Sequence, residues 1–378
     1  MSLELSTRTL GDWLEHWAEV TPDKEYIVYS DRNLRFTWSK FNERVDNMAK
    51  GLLSIGVERG THVGIWAGNV PDWLTFLYAC AKIGAVAVTV NTNYKQAELE
   101  YLCQNSDMHT LCIVNGDRGS DDFVNMVYTM LPELKTCQRG YLKSERFPQM
   151  KNVIYIGQEK YRGMYNTAEI LLLGSNIEDE ELVEAKKKVT CHDVVNMQYT
   201  SGTTGSSKGV MLSVNNLTGN MVFARNMINP ETGKTYFHAG GRALSFLPLA
   251  HAYGCAFDLL TPLATGSHVT LLGKLPSPKV LLKAFAEVKP NLIITVPLIF
   301  EKIYRKQVLP KLNSTPLKWA VNLPVLNTQI YAKIRKSLID ALGGRFEQVI
   351  IGGAPLNPEV EKFFHKIKFP FTVGYGMT

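Results

Sequence analysis

The chain has 378 residues, 45% of them hydrophobic and 20% charged, which is apolar material for more than one core and more than one lobe. The net charge is +6, yet 41 basic and 35 acidic residues are mixed along the chain, with no arginine stripe interleaved with aromatics. That pattern argues against a nucleic-acid partner and suits anionic small molecules.

The N-terminal stretch MSLELSTRTLGDW lacks the basic start and apolar segment of a secretory signal. Residues 9–20, TLGDWLEHWAEV, have the spacing of an amphipathic helix. YIVYS and RFTW then form a hairpin around Asp31 to Asn33. SKFNERVDNMAKGLLSIGV reads as a helix capped by Ser39, with Glu43 near the capping-box position, and closed by Gly56. From Gly60 the order becomes strand, turn, helix, strand. HVGIWAG, AVAVTV and TLCIVNG are strands, with a helix starting near Pro71 and another over QAELEYLCQNS. Leu74 to Val90 is the longest apolar run; Lys82 and a glycine interrupt it, and it is short for a membrane span. It reads as a buried helix followed by a buried strand. Apolar strands without alternation, separated by helices, predict a parallel sheet covered on both faces.

Residues 115–190 are less regular, and SNIEDEELVEAKKKV reads as a solvated helix and linker. A lobe boundary is expected near Thr190. Beyond it the rhythm resumes with VVNMQYT, KGVMLS, a helix capped by Ser213, RALSFLPLAH as a strand running into a loop, and the strands HVTLLG, NLIITV, EQVIIGG and PFTVGYGMT. The cysteines, Cys80, Cys103, Cys112, Cys137, Cys191 and Cys255, form no C-x-x-C pair and no zinc spacing. They read as free thiols of a reducing compartment, and a cytoplasmic location is expected.

Between two of these strands lies YTSGTTGSSKG, Tyr199 to Gly209, in which every residue except Lys208 is a glycine or carries a hydroxyl. Glycines let the backbone approach a ligand, and consecutive N–H groups make an anion nest. The hydroxyls of Thr200, Ser201, Thr203 and Thr204 can donate to phosphate oxygens. Lys208 adds a point charge suited to a terminal phosphate. The loop predicts a triphosphate cradle. It is not a Walker loop, because Gly202 and Gly205 are too close together and Gly209 follows the lysine. A mobile linker of this composition is the bland alternative, but a linker does not sit between two apolar strands.

The longer stretch YTSGTTGSSKGVMLS resembles the signature of the adenylate-forming superfamily: acyl-CoA synthetases, luciferases and the adenylation domains of peptide synthetases. Three further segments resemble family segments in the family's order: LPLAHAYG (Leu247 to Gly254), IGGAPL (Ile351 to Leu356) and GYGMT (Gly374 to Thr378). LPLAHAYG is most similar to the acyl-CoA synthetases, and Phe246, Phe257 and FDLLTPLA suit an apolar acyl chain or a core equally well. The resemblance implies the α/β fold of the family's large N-terminal domain, layered parallel-type sheets flanked by helices in two similar subdomains. On that reading residues 1–60 are helices and a hairpin packing on the second lobe. Residues 61–190 are the first subdomain, and 191–378 the second, with the phosphate loop and the acyl and adenine site.

Carried over residue by residue, the resemblance implies that Thr200, Ser201, Gly202, Thr203, Thr204, Gly205 and Lys208 hold the β- and γ-phosphates of ATP, with Thr200 on Mg2+. It implies that His251 sits by the substrate carboxylate and gates the acyl tunnel. Gly352, Gly353, Ala354 and Pro355 would line the adenine and acyl site. Gly374, Tyr375, Gly376, Met377 and Thr378 would form the segment in which Tyr375 packs on adenine and Thr378 reaches the α-phosphate. Lys208, His251 and Thr378 are the catalytic candidates. The implied reaction joins a carboxylic acid, expected to be fatty, to coenzyme A through an acyl-AMP. An aryl or amino acid substrate, or a binding module without turnover, are the rival readings; peripheral membrane contact and a dimer stay open. Ser207 stands where the family commonly has proline, and Val214 where it often has histidine. The family's sequence continues past the final threonine into a magnesium-binding glutamate and a mobile C-terminal domain. A truncated chain with little or no turnover is therefore expected.

Overall fold

The structure is a computed structural model that describes residues 7–116, 122–200, 206–228, 233, 235–312 and 324–377. Helix α1 (Leu10–Val20) starts at Thr9, whose hydroxyl caps the Asp12 N–H while the Asp12 side chain returns the bond. Strands β1 (Glu25–Tyr29) and β2 (Leu34–Thr37) pair antiparallel across a turn at Ser30–Arg32. Helix α2 (Trp38–Ser54) is capped by Thr37, which accepts from the Lys40 N–H. Ser39, the expected cap, instead sits inside the first turn and donates its hydroxyl to the Pro22 carbonyl. Glu43 pairs with Lys40 rather than closing a capping box.

Next come β3 (His62–Trp66), α3 (Pro71–Ile83), β4 (Val86–Thr89), α4 (Gln96–Asn105), β5 (Thr110–Ile113) and α5 (Phe123–Met130). They are followed by β6 (Asn152–Tyr155), β7 (Tyr165–Asn166), α6 (Thr167–Gly174), α7 (Asp179–Lys187), β8 (Val194–Tyr199), β9 (Gly209–Ser213) and α8 (Val214–Arg225). Pro71 opens α3 at its first position, and Gly84, left-handed at φ +74, closes it. α3 is buried almost throughout, so Lys82 within it must be satisfied internally. Its ammonium, fully buried, bonds Glu15 at 2.7 Å, Asp46 at 2.6 Å and Asn42 at 2.7 Å, tying α1, α2 and α3 together.

The second half adds β10 (Arg242–Ser245), β11 (His268–Leu271), β12 (Leu292–Thr295), β13 (Gln348–Ile351) and β14 (Phe371–Val373), with helices between them. Three sheets result, ordered β7-β6-β5-β3-β4-β8-β9, β10-β11-β1-β2 and β12-β13-β14. Apart from the antiparallel pairs β1/β2 and β8/β9, neighbouring strands are parallel, as uninterrupted apolar strands predict. Sheet membership cuts across the expected division at Thr190. β8 and β9, beyond that point, complete the sheet built by β3 to β7. The N-terminal hairpin joins a strand of the second lobe, as expected of it: β1 pairs with β11 through Ile27 and Val269. Among the described residues β14 is an edge strand, with Thr372 and Val373 exposed. The charged stretch after residue 175 is helical, with Leu182 its buried residue, as expected of a solvated helix. All six cysteines are free; Cys137 and Cys191 are half-buried and the others buried.

Candidate active site

In an open parallel sheet, ligands bind outside the carboxyl ends of the strands. Here the ends of β4, β8 and β12 converge on one cavity of about 700 Å3. One wall comes from the segment after β4, including Asn91, Tyr94 and Tyr101. A second is the end of β8 at Tyr199 and Thr200. The third is the loop Leu247 to Gly254 together with Val296 and Gly353.

The glycine- and hydroxyl-rich loop enters and leaves through one pinch. The Thr200 N–H donates to the Lys208 carbonyl at 3.0 Å, and the Lys208 N–H donates to Thr200 Oγ1 at 3.1 Å. Helix α4 holds both shoulders of the pinch. The Tyr199 hydroxyl donates to Asn105 Oδ1 at 2.8 Å, and the Tyr101 hydroxyl to the Ser207 carbonyl at 3.0 Å. Burial pushes the Tyr199 phenol up to about 12, so it stays a donor at neutral pH. Thr200 lines the cavity, whereas the Lys208 side chain is exposed at the rim and is not part of the lining. Ser201, Gly202, Thr203, Thr204 and Gly205 lie outside the described residues.

The loop carrying His251 is fixed from three directions. Buried Asn69, just before α3, donates through Nδ2 to the Leu247 carbonyl at 2.8 Å and accepts the Leu249 N–H at 3.2 Å. Thr89, at the end of β4, donates to the Ala250 carbonyl at 3.1 Å. Asp258, 2% exposed, accepts the Leu247 N–H at 3.3 Å, and burial holds its carboxyl well above the usual carboxylate range. These bonds satisfy backbone groups that a loop over a cavity would otherwise leave orphaned. His251 lines the cavity, and its Nδ1 accepts the Tyr253 N–H at 3.2 Å. The neutral imidazole assigned from that bond carries its proton on Nε2. Desolvation lowers its pKa from 6.5, which favours this neutral form.

Tyr253 links the loop to IGGAPL. Its hydroxyl donates to the Ile350 carbonyl at 3.1 Å, and a Cβ on Gly352 would lie 2.9 Å from its ring, so the contact requires glycine there. Gly353, at φ +82, lines the cavity; Ala354 and Pro355 are exposed on the same turn, and Gly352 is buried behind it. Asn357 caps the helix that follows, with Pro358 at its first position. The Gly374 N–H donates to the Ile351 carbonyl at 2.8 Å. Beyond it Tyr375, Gly376 and Met377 are exposed, Tyr375 at 94%, and none lines the cavity; Thr378 lies outside the described residues. Phe246 is a core residue, edge-on to Phe285 at 5.8 Å.

Thus Thr200, His251 and Gly353 meet in one cavity. Asn69, Thr89, Tyr101 and Asp258 were not foreseen, although the lone carboxylate within the apolar run FDLLTPLA was a signal. For a magnesium ion the described residues offer little. None form a group of three His, Cys, Asp or Glu able to hold a metal, and Thr200 supplies one hydroxyl with a lone pair left after accepting from Lys208. That donor fits a cation bound mainly through substrate phosphates, not one caged by protein.

Residues 14–378 match the family model described as AMP-binding enzyme. The chain belongs to that family. It is 34% identical over 363 residues to the Putative acyl-CoA synthetase YngI of Bacillus subtilis (strain 168), covering 94% of this chain and 63% of that protein. It is 30% identical over 379 residues to the mitochondrial medium-chain acyl-CoA ligase ACSF2 of Macaca fascicularis, covering 99% of this chain and 56% of that protein. The chain therefore spans less than two thirds of these relatives' length. Its fold matches the anthranilate CoA ligase AuaEII in complex with anthranoyl-AMP, at a TM-score of 0.76 and 15% identity, over 100% of this chain and 62% of that one. The chain thus has the fold of the N-terminal part of AMP-binding enzymes. Among the described residues no helix is long and apolar enough to cross a membrane.

Proposed function

We propose that this chain carries the nucleotide and acid sites of an ATP-dependent carboxylic acid:CoA ligase whose acid is aliphatic. The observation that carries the reading is the single cavity joining Thr200, at the pinch of the phosphate loop, to His251 and Gly353. In this reading the loop and Lys208 hold the β- and γ-phosphates, with Thr200 beside any Mg2+ they carry. The acid's carboxylate lies near His251. A carboxylate oxygen attacks the α-phosphorus, the bond to the bridging oxygen breaks, and pyrophosphate leaves; the coenzyme A thiol then displaces AMP from the acyl carbon. The residues' work is to position two anions and offset their charge. The Nε2–H of neutral His251 is a donor for the carboxylate that adds no full positive charge. Relatives named as acyl-CoA synthetase and medium-chain acyl-CoA ligase support an aliphatic acid.

The test is acid-dependent ATP–pyrophosphate exchange across fatty, aryl and amino acids, on this chain and, as a control, on a full-length relative, with ATP binding measured alongside. Exchange with fatty acids alone is expected, weak in this chain. Exchange confined to aryl or amino acids would overturn the substrate class. Lys208→Ala is expected to weaken ATP binding at least about tenfold; unchanged affinity would remove the lysine from the cradle.

A further inference from the structure

Strand β8 runs up to the cavity with two amide side chains on one face. Asn196 and Gln198 are 0% and 2% exposed, and they stand in register beside Ala87 and Thr89 of β4. Side chains alternate along a strand, so the two amides share that face, and Thr200 follows on it just past the strand's end. Thr89 and Thr200 both line the cavity. The Gln198 side chain bonds to the Cys255 thiol, and Cys255 directly follows the cavity-lining Gly254. Gln198 therefore lies beneath the cavity, and Asn196 about 7 Å further in, at about 3.3 Å of rise per residue.

Buried polar groups are as a rule hydrogen-bonded. Asn69, Thr89 and Asp258 obey the rule, each holding the backbone of the His251 loop. Asn196 and Gln198 break it. Among the described residues neither end of the Asn196 amide has a hydrogen-bond partner, and neither does Gln198 Oε1. Leucine at 196 and methionine at 198 have similar volumes and would carry no such desolvation cost. Groups that weaken the fold while standing under a ligand cavity point to a ligand that satisfies them. Its chemistry follows from the free atoms. Two are carbonyl oxygens, which accept, and one is an amide nitrogen, which donates. A hydroxyl answers both kinds, donating to Gln198 Oε1 or Asn196 Oδ1 and accepting from Asn196 Nδ2. A keto oxygen only accepts. A second carboxylate would bury a charge against two carbonyl oxygens, and a plain hydrocarbon chain leaves all three atoms unpaired.

We propose that Asn196 and Gln198 make this cavity selective for a hydroxy acid, whose chain hydroxyl meets the two amides while its carboxylate lies near His251. The inference rests on the acid site proposed above and narrows its substrate from aliphatic acids to hydroxylated ones.

The experiment is calorimetric binding of decanoic acid, and of monohydroxydecanoic acids with the hydroxyl moved along the chain, to the 378-residue chain in the presence of ATP. One hydroxy isomer is expected to bind at least about tenfold tighter than decanoic acid, because it pairs buried groups that the plain acid leaves unpaired. In Asn196→Leu and Gln198→Met that preference is expected to disappear, with an unfolding midpoint in urea at or above the parent's. A purely structural role predicts the opposite, a lowered midpoint and no effect on the choice of acid. Equal binding of decanoic acid and every hydroxy isomer by the parent chain overturns the proposal, and this comparison needs no variant to fold. So does a preference that survives both substitutions. A lowered midpoint in the variants with no preference in the parent also overturns it, assigning the amides to a buried water. Binding of none of the acids would overturn the acid site itself, a result distinct from binding without preference.

Discussion

Asn69 lies 182 residues before His251 in sequence, yet it holds the loop that presents His251. Its side chain is 8% exposed and satisfies two backbone groups, the Leu247 carbonyl at 2.8 Å and the Leu249 N–H at 3.2 Å. Asn69→Ala orphans both, at about 1–3 kcal/mol each when water does not replace the lost partner. A loss of about 3 kcal/mol in unfolding free energy is expected, read from the shift in urea midpoint. Asn69→Asp sharpens the test. The carboxylate still accepts from Leu249 but repels the Leu247 carbonyl and is buried, so at about pH 8 it should cost at least as much. Its pKa would be raised in the folded state, so stability relative to the parent should recover as pH falls and the protonated acid donates to Leu247. A loss below about 0.5 kcal/mol in Asn69→Ala, or no pH-dependent recovery in Asn69→Asp, would refute the assignment of those two bonds as what fixes the loop.

Two further predictions concern buried charge. Burial raises the Asp258 pKa well above 3.8, so the folded chain keeps this proton where the unfolded chain has lost it. The stability it contributes is complete below 3.8 and is lost as pH rises through the raised value. Asp258→Asn, which can still accept the Leu247 N–H, should remove that loss and match or exceed the parent's melting temperature near pH 8. A variant that keeps the parent's slope of stability against pH would sink the idea. Lys82→Met removes a fully buried ammonium and leaves Glu15 with Lys186, and Asp46 with the Asn42 amide, as partners. Losing one partner of a buried pair costs about 3–5 kcal/mol, and the roughly quarter exposure of both carboxylates lowers the expectation to about 2–3 kcal/mol. Chemical denaturation of Lys82→Met checks it, and a variant as stable as the parent would show that the ion cluster contributes nothing net.

The strands were legible because burial on both faces leaves an uninterrupted apolar run, as in β3, β4 and β12, and the helix ends because caps act within three or four residues. Where the reading failed, the deciding contact was not local. Thr37 and Ser39 are both good capping hydroxyls, separated by one residue. The cap fell to Thr37, and the Ser39 hydroxyl is occupied by the Pro22 carbonyl, a tertiary contact. The boundary at Thr190 failed for a similar reason. The polar stretch before it marks a solvated helix, but strand partners are chosen by the sheet, and β8 finds β4 across that stretch. β14 gave no warning either, since an edge strand and a central one can share the same apolar residues.

The candidate site divides along the same line. Thr200, His251 and Gly353 stand in short segments whose composition is odd for a core, and oddness of composition is visible in sequence. What places them is ordinary by composition: an asparagine before a helix, a threonine ending a strand, an aspartate in an apolar helix. Each acts on the loop from 161 residues or more away, or from the following helix, through one or two hydrogen bonds. The division has a consequence for substitutions. Changes in Thr200 or His251 should alter ligand affinity with little effect on folding, because those side chains face the cavity. Changes in Asn69, Thr89 or Asp258 should alter stability and affinity together, because the same bond that satisfies a buried backbone group also sets where His251 stands.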